Sequence, residues 1–567
     1  MFFRGQRLKI LCFIGVILLS LIVLCYYSTT TINTKNRDTT ITVSKPRFSH
    51  SSGFYKKPFK LEIKAGAGQK IYYTLDSSKP TNSSQLYTSP ILMDDATKRP
   101  NVYANVREIA INDVVPPAYN LEKCQVVRAV AYDKDGNKGQ ETCASYFVGK
   151  SPSDFDGCNI VSLIVAPEDL FDSKRGIMVR GSRYPVLDAL RLYNSNSYHV
   201  LLYTEALNYL WRGKKSERQA YFHFFDKQGA FLQGKHCGVR MHGWSTREDS
   251  HKAFSLFARE EYDGTSCFEH PFFGDGFLPS SIVLFSGGQD QATFLKDYLV
   301  HSLIPPYKLK FDYYKFIPTV LFLNGEYWGF YWIHSRFDDA FISYYNNTRD
   351  AKISRVKIVP KFIPQSQGGV KGILTLNAYQ DFLQFVQRAD CSNDATYREI
   401  CKKINIAGLI DYYATEIYIG NLDWPRHNVR LWQKSDDGEE NLNYLWHYQL
   451  FDLQMAMEDS ERNDLDYIVK NDLLFGSLWK NAQFRKQFET RLYFIADKVF
   501  EPKKVKRFLL NSAKVYKKAL DKNWKRYSQD AFAKDFDNQL NIIINFFEER
   551  PREIRKCFSH EQLATIR

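Results

Sequence analysis

Hydrophobic residues follow several different patterns along the chain, and each pattern predicts a different kind of element. Residues 10–27 form an uncharged, largely apolar run, which at a rise of about 1.5 Å per residue is long enough for a helix that crosses a bilayer. Short apolar runs between residues 59 and 148 have the spacing of β-strands. Strand-like and helical runs mix after residue 159, and helical spacing dominates after residue 472.

The first apolar run predicts a signal anchor in residues 1–27, with the N-terminus in the cytoplasm. No small-x-small cleavage site follows the run, although basic residues on its far side leave a cleaved secretion signal as the alternative. Either way, we expect a single-pass or secreted protein whose bulk is extracytoplasmic. Residues 28–44 are polar and predict a flexible linker. The basic residues that flank the run are Arg4, Arg7, Lys9, Lys35 and Arg37.

The strand-like runs predict a small antiparallel β-sandwich over residues 45–150. They recur at regular intervals without helical periodicity, and Asp135-Gly136-Asn137 is a turn signal between two of them. The predicted strands are residues 59–63, 71–75, 126–132 and 144–148.

Several short motifs of this unit resemble the immunoglobulin-like module at the end of chitobiase and hexosaminidase chains. Ser77 stands where that family usually has a turn glycine, so the turn is expected to differ. The resemblance implies an accessory module, either a platform that binds envelope glycan or a spacer. The matching residues are Pro46, Phe48-Ser49, Gly53-Phe54-Tyr55, Pro58-Phe59, the run from Ile71 to Asp76, Pro80-Thr81, Tyr87 and Pro90.

Composition excludes several classes of protein. The 567 residues are 44% hydrophobic and 25% charged, which is unlike a disordered chain, a collagen or a polytopic membrane protein. The net charge of +14 favours acidic partners such as anionic lipid, cell-wall polymer or nucleotide, while no motif indicates nucleic-acid binding. The ten cysteines form no C-x-x-C pair. Most are therefore expected to be buried thiols, with Cys124–Cys143 and Cys391–Cys401 open as disulfides.

A glycine between two strand-like runs, with a lysine entering the second, is one candidate for a phosphate site. His242-Gly243 follows the first run, and Lys252 precedes Phe254 in the second. Such a loop covers phosphates and supplies an ammonium. Alone it equally predicts an ordinary hairpin with one solvated lysine.

The segment after the apolar helix of residues 406–419 is the second candidate. Asp423 and Asn428 have the spacing of the kinase catalytic loop, in which the aspartate accepts the proton of the substrate hydroxyl and the asparagine reaches a magnesium ion. The runs 429–433 and 445–451 then predict a hairpin that presents Asp452. By itself, Asp423-x-x-x-x-Asn428 could also be a capped loop.

Together these motifs resemble the CotH family of spore-coat kinases from about residue 158 to 457. The resemblance implies a divergent kinase that uses ATP with Mg²⁺, or Mn²⁺, to phosphorylate serine or threonine of extracytoplasmic proteins, including spore-coat proteins. It implies that Asp423 is catalytic, that Lys252 and Arg247 bind the nucleotide, and that Asn428 and Asp452 bind metal. The further matches are Ser245, Phe254, Gly287-Gly288, Asp290, Asp297, the run from Leu323 to Tyr331, Asn421, Trp424-Pro425 and Phe451.

Three departures from the family pattern predict weaker activity. Ser335 replaces a common glutamate, and Gln454 replaces the second carboxylate of an Asp-x-Asp. An amide coordinates a hard cation without supplying negative charge. Lys296 replaces an arginine, which keeps the charge and loses the bidentate fork.

We therefore predict an α+β protein with the transmembrane helix, the sandwich and, over residues 157–567, a kinase-like domain that includes the helical tail. The first functional hypothesis is a membrane-anchored protein kinase. The alternative is a pseudokinase that serves as an envelope scaffold and binds glycan or protein.

Overall fold

The computed structural model describes residues 43–155, 157–182, 207–348, 352–359, 363–366, 369–435 and 444–557. The predicted anchor and nearly all of the predicted linker lie outside these ranges. No helix within them is both long and apolar enough to cross a membrane.

The first unit is a β-sandwich, built from the alternating runs seen in the sequence. One sheet has the order β2-β9-β8-β5-β6, and the pairs β3-β7 and β1-β4 complete the unit. All pairings are antiparallel except β2 with β9. Leu61, Val127 and Tyr146 lie in its core. The strands are β1 Arg47–Phe48, β2 Gly53–Tyr55, β3 Phe59–Leu61, β4 Ile63–Lys64, β5 Lys70–Thr74, β6 Gln85–Leu86, β7 Ile91–Met93, β8 Gln125–Tyr132 and β9 Thr142–Val148.

Ser77 adopts the backbone conformation that a glycine would adopt in its place. Its φ is 63°, in the left-handed region, which costs a residue with a side chain about 1 kcal/mol. Arg128 Nη1 donates a hydrogen bond to Ser77 O at 2.6 Å, and the Tyr103 hydroxyl donates to Asp76 O. These bonds hold the turn in place without the glycine.

The second unit begins with a closed barrel of seven strands in the order β10-β11-β12-β13-β14-β16-β15. β10 and β15 are parallel, and the other pairs are antiparallel. The strand-like run that precedes His242-Gly243 and the run that begins after Lys252 both belong to it. The strands are β10 Asn159–Val165, β11 Arg218–Phe225, β12 Phe231–Met241, β13 Phe254–Phe257, β14 Ser281–Phe285, β15 Phe316–Leu323 and β16 Glu326–Ser335.

The sandwich is packed firmly against the barrel at the turn between β15 and β16. Asn324 and Gly325 form this turn with φ values of 50° and 88°, and Cys124 N donates to Gly325 O at 2.9 Å. A Cβ on Gly325 would lie 2.6 Å from Cys124 O, so only glycine permits this approach. The buried carboxylate of Glu326 accepts hydrogen bonds from the backbone N–H groups of Val102, at 2.5 Å, and Ala104, at 2.8 Å.

A second polar contact crosses the same junction. Ser145 Oγ of β9 donates to Ser162 Oγ of β10 at 2.9 Å and lies 2.8 Å from His223 Nδ1 of β11. Phe147 of the sandwich packs edge-on against Phe225 and Phe322 of the barrel. Part of the sandwich therefore packs into the hydrophobic core of the second unit, while the core around Leu61, Val127 and Tyr146 belongs to the sandwich alone.

Helices and a four-stranded sheet, β18-β17-β19-β20, form the remainder of the second unit. The predicted hairpin is confirmed, because Arg430, Leu431 and Trp432 of β19 pair with Gln449, Tyr448 and His447 of β20. The strands are β17 Lys352–Val359, β18 Ile363–Ser366, β19 Val429–Ser435 and β20 His447–Gln449. The helices are α1 Pro167–Phe171, α2 Glu260–Asp263, α3 Lys296–Leu303, α4 Asp339–Tyr345, α5 Gly369–Arg388, α6 Asp394–Cys401, α7 Ile406–Ile419, α8 Leu465–Asn471, α9 Leu473–Trp479, α10 Ala482–Phe494, α11 Pro502–Arg526 and α12 Asp530–Lys556.

The helical tail is integral to this unit. Asn523 of α11 accepts a hydrogen bond from Phe330 N of β16 at 3.0 Å. Arg550 of α12 is buried and donates to Ile417 O at 2.6 Å and Tyr418 O at 2.8 Å, at the C-terminal end of α7, where carbonyl groups lack helical partners. The tail thereby fixes the end of the helix that leads into the predicted catalytic loop. The eight cysteines within the described ranges are free thiols, as expected for most of them, and neither of the two pairings left open is formed.

Candidate functional site

The predicted catalytic loop joins α7 to β19. α7 ends at Gly420, whose left-handed backbone closes the helix. Asn421 is fully buried and links the loop to its surroundings. Its Nδ2 donates to Glu416 Oε2 at 3.1 Å and to Asp452 O at 3.3 Å, and its Oδ1 accepts from Asp423 N at 3.3 Å. One side chain therefore ties the loop that carries Asp423 to the segment that carries Asp452.

Asp423 and Asp452 are electrostatic neighbours. Burial and the charge of Asp423 together raise the pKa of Asp452 to about 6, against the opposing effects of Lys357, Gln454 and Arg430. Such a pair of carboxylates attracts a cation. The structure thus brings together two of the residues that the sequence analysis predicted for one site.

The backbone is strained at the metal positions that the sequence predicted. Asn428 has a φ of 62° and Asp452 a φ of 66°, both in the left-handed region. Asn428 lies directly before β19, and its carbonyl accepts a hydrogen bond from Tyr412 of α7 at 3.3 Å. Side chains held in this way at a cost in conformational energy are typical of functional sites.

Asp297 is a site residue to which the sequence analysis gave no role. This buried carboxylate of α3 accepts hydrogen bonds from Leu453 N at 3.2 Å and from Gln454 Nε2 at 2.7 Å. Burial, with smaller contributions from the charges of Asp452 and Asp290, raises its pKa to about 7, although the hydrogen bonds from Gln454 and Leu453 oppose the increase. Asp297 was among the residues that match the CotH family motifs. It lies more than 150 positions before Leu453 and Gln454 in the sequence, however, so local spacing did not connect it with them.

Gln454 and Ser335, two of the departures from the family pattern, have different surroundings. Gln454 donates to Asp297 and occupies space that Gly288 leaves open, since a Cβ at that position would clash with Gln454 Oε1. Ser335 is buried at the end of β16, where its Oγ accepts a hydrogen bond from Lys315 N at 3.1 Å. Lys296, the third departure, forms an ion pair with Glu458.

Lys252 and Arg247 contact backbone carbonyls. Lys252 is 0% exposed, and its Nζ donates to Arg247 O and, at 3.0 Å, to Asp249 O. Burial lowers its pKa to about 7, and its charged neighbours are Asp249, Glu248 and Arg247. Arg247 Nη1 donates to Leu210 O at 3.2 Å and Trp211 O at 3.0 Å. Neither Asp423 nor Asp452 acts on the charge of Lys252, whereas His242, at the start of the same loop, has Arg247, Arg336 and Arg430 as charged neighbours.

Three other cations form a cluster, and we call them the site cations: Arg336, after β16; Lys357, on β17; and Arg430, on β19. All three are half-buried. Lys357 and Arg430 oppose each other on neighbouring strands, and both act on the charge of Asp452. Arg336 in turn lies close to Arg430. The sequence analysis missed them because basic residues on strands have no motif.

A divalent metal ion fits this site if phosphate supplies some of its ligands. Among the described residues, no three His, Cys, Asp or Glu side chains are grouped so as to hold a metal ion. Mg²⁺ usually binds one or two carboxylates together with phosphate oxygens and water. The Asp452 carboxylate and the Asn428 amide are the residues that would hold it.

Comparison with protein families agrees with this description. The barrel, the charged loop and the helical tail define a mixed α/β protein of the kinase-like class. The family model described as CotH kinase protein matches residues 239–554, more than half of the chain, and the protein therefore belongs to that family. A second family model, described as Fn3 associated, matches residues 59–146 in the sandwich. No individual curated protein matches the chain.

Proposed function

We propose that the protein is a kinase that transfers the terminal phosphoryl group of ATP to serine or threonine hydroxyls of other proteins. The observation that carries this proposal is the pairing of Asp423 with Asp452 on two segments that Asn421 joins. Phosphoryl transfer needs little covalent chemistry from the protein, because positioning and charge neutralisation supply most of the acceleration.

Each residue of the pair has a distinct proposed role. Asp423 is partly exposed and orients the acceptor hydroxyl and accepts its proton. Asp452 and Asn428 hold Mg²⁺, which when bound neutralises charge on the phosphates. Asp297 positions the segment after Asp452 through its bonds to Leu453 and Gln454.

The proposed setting is the cell envelope. The apolar run of residues 10–27 with basic residues before it supports an anchor with the remainder of the chain outside the cytoplasm. The acceptors would then be secreted or surface proteins. Envelope glycan is the proposed partner of the sandwich, in keeping with the resemblance of its motifs to modules of glycan-processing enzymes.

A catalytically silent scaffold is the second candidate, and Gln454 favours it. Its amide supplies no negative charge for a metal and donates to Asp297. Such a protein would bind envelope partners without transferring phosphate.

The test is transfer of labelled phosphate from ATP by the full-length chain, with Mg²⁺ or Mn²⁺, to itself and to a serine-rich protein. Asp423→Ala and Asp452→Ala are compared with Asp537→Ala, which changes an exposed aspartate of α12. We expect incorporation in the wild type and in Asp537→Ala and none in the other two. Absence of incorporation in the wild type would refute the kinase and support the scaffold.

A further inference from the structure

The site cations are clustered like charges, on which Asp338 and Asp452 act without forming ion pairs with them. Within the described part of the chain, no ion pair is formed by Arg336, Lys357 or Arg430. Arg240, which lies near Arg336, is paired with Glu217. Like charges directly opposite each other on neighbouring strands, such as Lys357 and Arg430, destabilise a sheet.

The surroundings of the site cations add to the destabilisation that their like charges cause. Each site cation is half-buried, so it loses part of its hydration. The Arg430 guanidinium carbon lies 4.6 Å from the centre of the Phe451 ring, and its Nε is buried without a hydrogen-bond partner. Partly desolvated cations of this kind are stable when an anion contacts them.

We infer that Arg336, Lys357 and Arg430 bind the phosphate groups of the nucleotide. This inference rests on the proposed kinase function and assigns its phosphate contacts to these three residues, in addition to the resemblance-based candidates Lys252 and Arg247. Lys357 and Arg430 are the cations that act on Asp452, so phosphates bound to them lie beside the residue proposed to hold Mg²⁺.

The chemistry of the side chains specifies the ligand as a polyphosphate. Two guanidinium groups supply planar pairs of N–H donors that match phosphate oxygens, and the ammonium of Lys357 adds a point charge. Lys252 differs because its ammonium already donates to two carbonyl groups and lies 4.0 Å from the centre of the Tyr209 ring. It has the contacts of a residue that stabilises its loop.

The test is binding of inorganic triphosphate and of Mg-ATP to the full-length chain by calorimetry. Arg430→Gln, Lys357→Gln and Arg336→Gln each remove one site cation. Lys434→Gln is the matched control, since it removes a cation from the same strand as Arg430 but one whose charge acts on His447. Loss of one charged hydrogen-bond partner is expected to weaken binding about 10-fold to 100-fold, whereas the control binds as the wild type does.

The outcomes separate this inference from the proposed function. Unchanged affinity in all three variants would overturn the inference, even if phosphate transfer is normal. Binding that is weakened in the three variants but accompanied by no transfer in the wild type supports the inference and contradicts the kinase. A wild type that binds neither ligand overturns the inference, and the transfer assay then decides the function separately. Melting of the ligand-free variants shows whether they are folded.

Discussion

The junction between sandwich and barrel and the charged site around Asp452 are both built from buried polar groups, but in opposite ways. At the junction, Glu326 accepts two backbone N–H groups, and His223 contacts Ser145. At the charged site, Lys357 and Arg430 face each other without ion pairs, and burial together with neighbouring carboxylates raises the pKa of Asp452 and of Asp297. Polar groups that have hydrogen-bond partners stabilise a fold. Polar groups that lack partners or repel each other reduce its stability, and such groups are typical of ligand-binding sites.

The same comparison divides the family motifs into structural and chemical parts. The motif from Leu323 to Tyr331 forms the hairpin that receives the sandwich, with Asn324, Gly325 and Glu326 at the junction. The motif from Asn421 to Asn428 belongs to the charged site. Only substitutions in the motif from Asn421 to Asn428 are expected to reduce phosphate transfer without reducing the stability of the fold.

The largest expected effect is on transfer when the charged site loses a carboxylate. Asp452→Asn keeps the size of the side chain and removes the charge proposed to hold Mg²⁺. We expect transfer to fall by about 100-fold or more, measured as initial rate. The melting temperature should stay the same or rise, because Asp423 no longer opposes a second carboxylate. A rate within twofold of the wild type would exclude the proposed role.

At the junction, substitution is expected to reduce stability and leave nucleotide binding intact. Glu326→Ala leaves the N–H groups of Val102 and Ala104 buried without acceptors, at a cost of about 2–4 kcal/mol. Urea unfolding measures this loss, and calorimetry with ATP checks binding in the folded protein. A loss below about 0.5 kcal/mol would show that these bonds do not hold the units together.

Acid is expected to weaken the junction through His223. Burial lowers its pKa from 6.5 to about 4, so between these values the unfolded chain takes up a proton and the folded chain does not. Stability therefore falls as pH decreases from about 6.5 to 4, by up to a few kcal/mol. His223→Asn removes this contribution, and its melting temperature should depend less steeply on pH over that range. Equal slopes for the two proteins would contradict the assignment.

The smallest expected effect is a gain in stability at the charged site. Arg430→Gln relieves repulsion with Lys357 and Arg336, and should raise the unfolding free energy of the ligand-free protein by about 0.5 kcal/mol. Lys434→Gln on the same strand should leave it unchanged. A clear loss of stability in Arg430→Gln would show that this arginine supports the fold.

Local patterns predicted much of this architecture, and long-range contacts account for what they missed. The regular spacing of apolar runs predicted strands of the sandwich, and the spacing of Asp423 and Asn428 predicted a loop after α7, because both depend on residues close in sequence. Asp297 meets Gln454 only in the folded chain. Arg550 likewise reaches the end of α7 from the C-terminal helix, and its pattern showed only a core-facing helix. The glycine loop motif correctly drew attention to Lys252. The motif did not specify, however, that the Lys252 ammonium would donate to the backbone carbonyls of Arg247 and Asp249 in the same loop.

The most direct test of the charged site as a nucleotide site is the melting temperature of the full-length chain as a function of Mg-ATP concentration. A ligand that binds only the folded state stabilises it by about 2.7 kcal/mol at a hundred times its dissociation constant. We predict a melting temperature that rises steadily with the logarithm of ligand concentration, and a much smaller rise for Arg430→Gln at the same concentrations. A wild-type melting temperature that does not change at millimolar Mg-ATP would contradict the account.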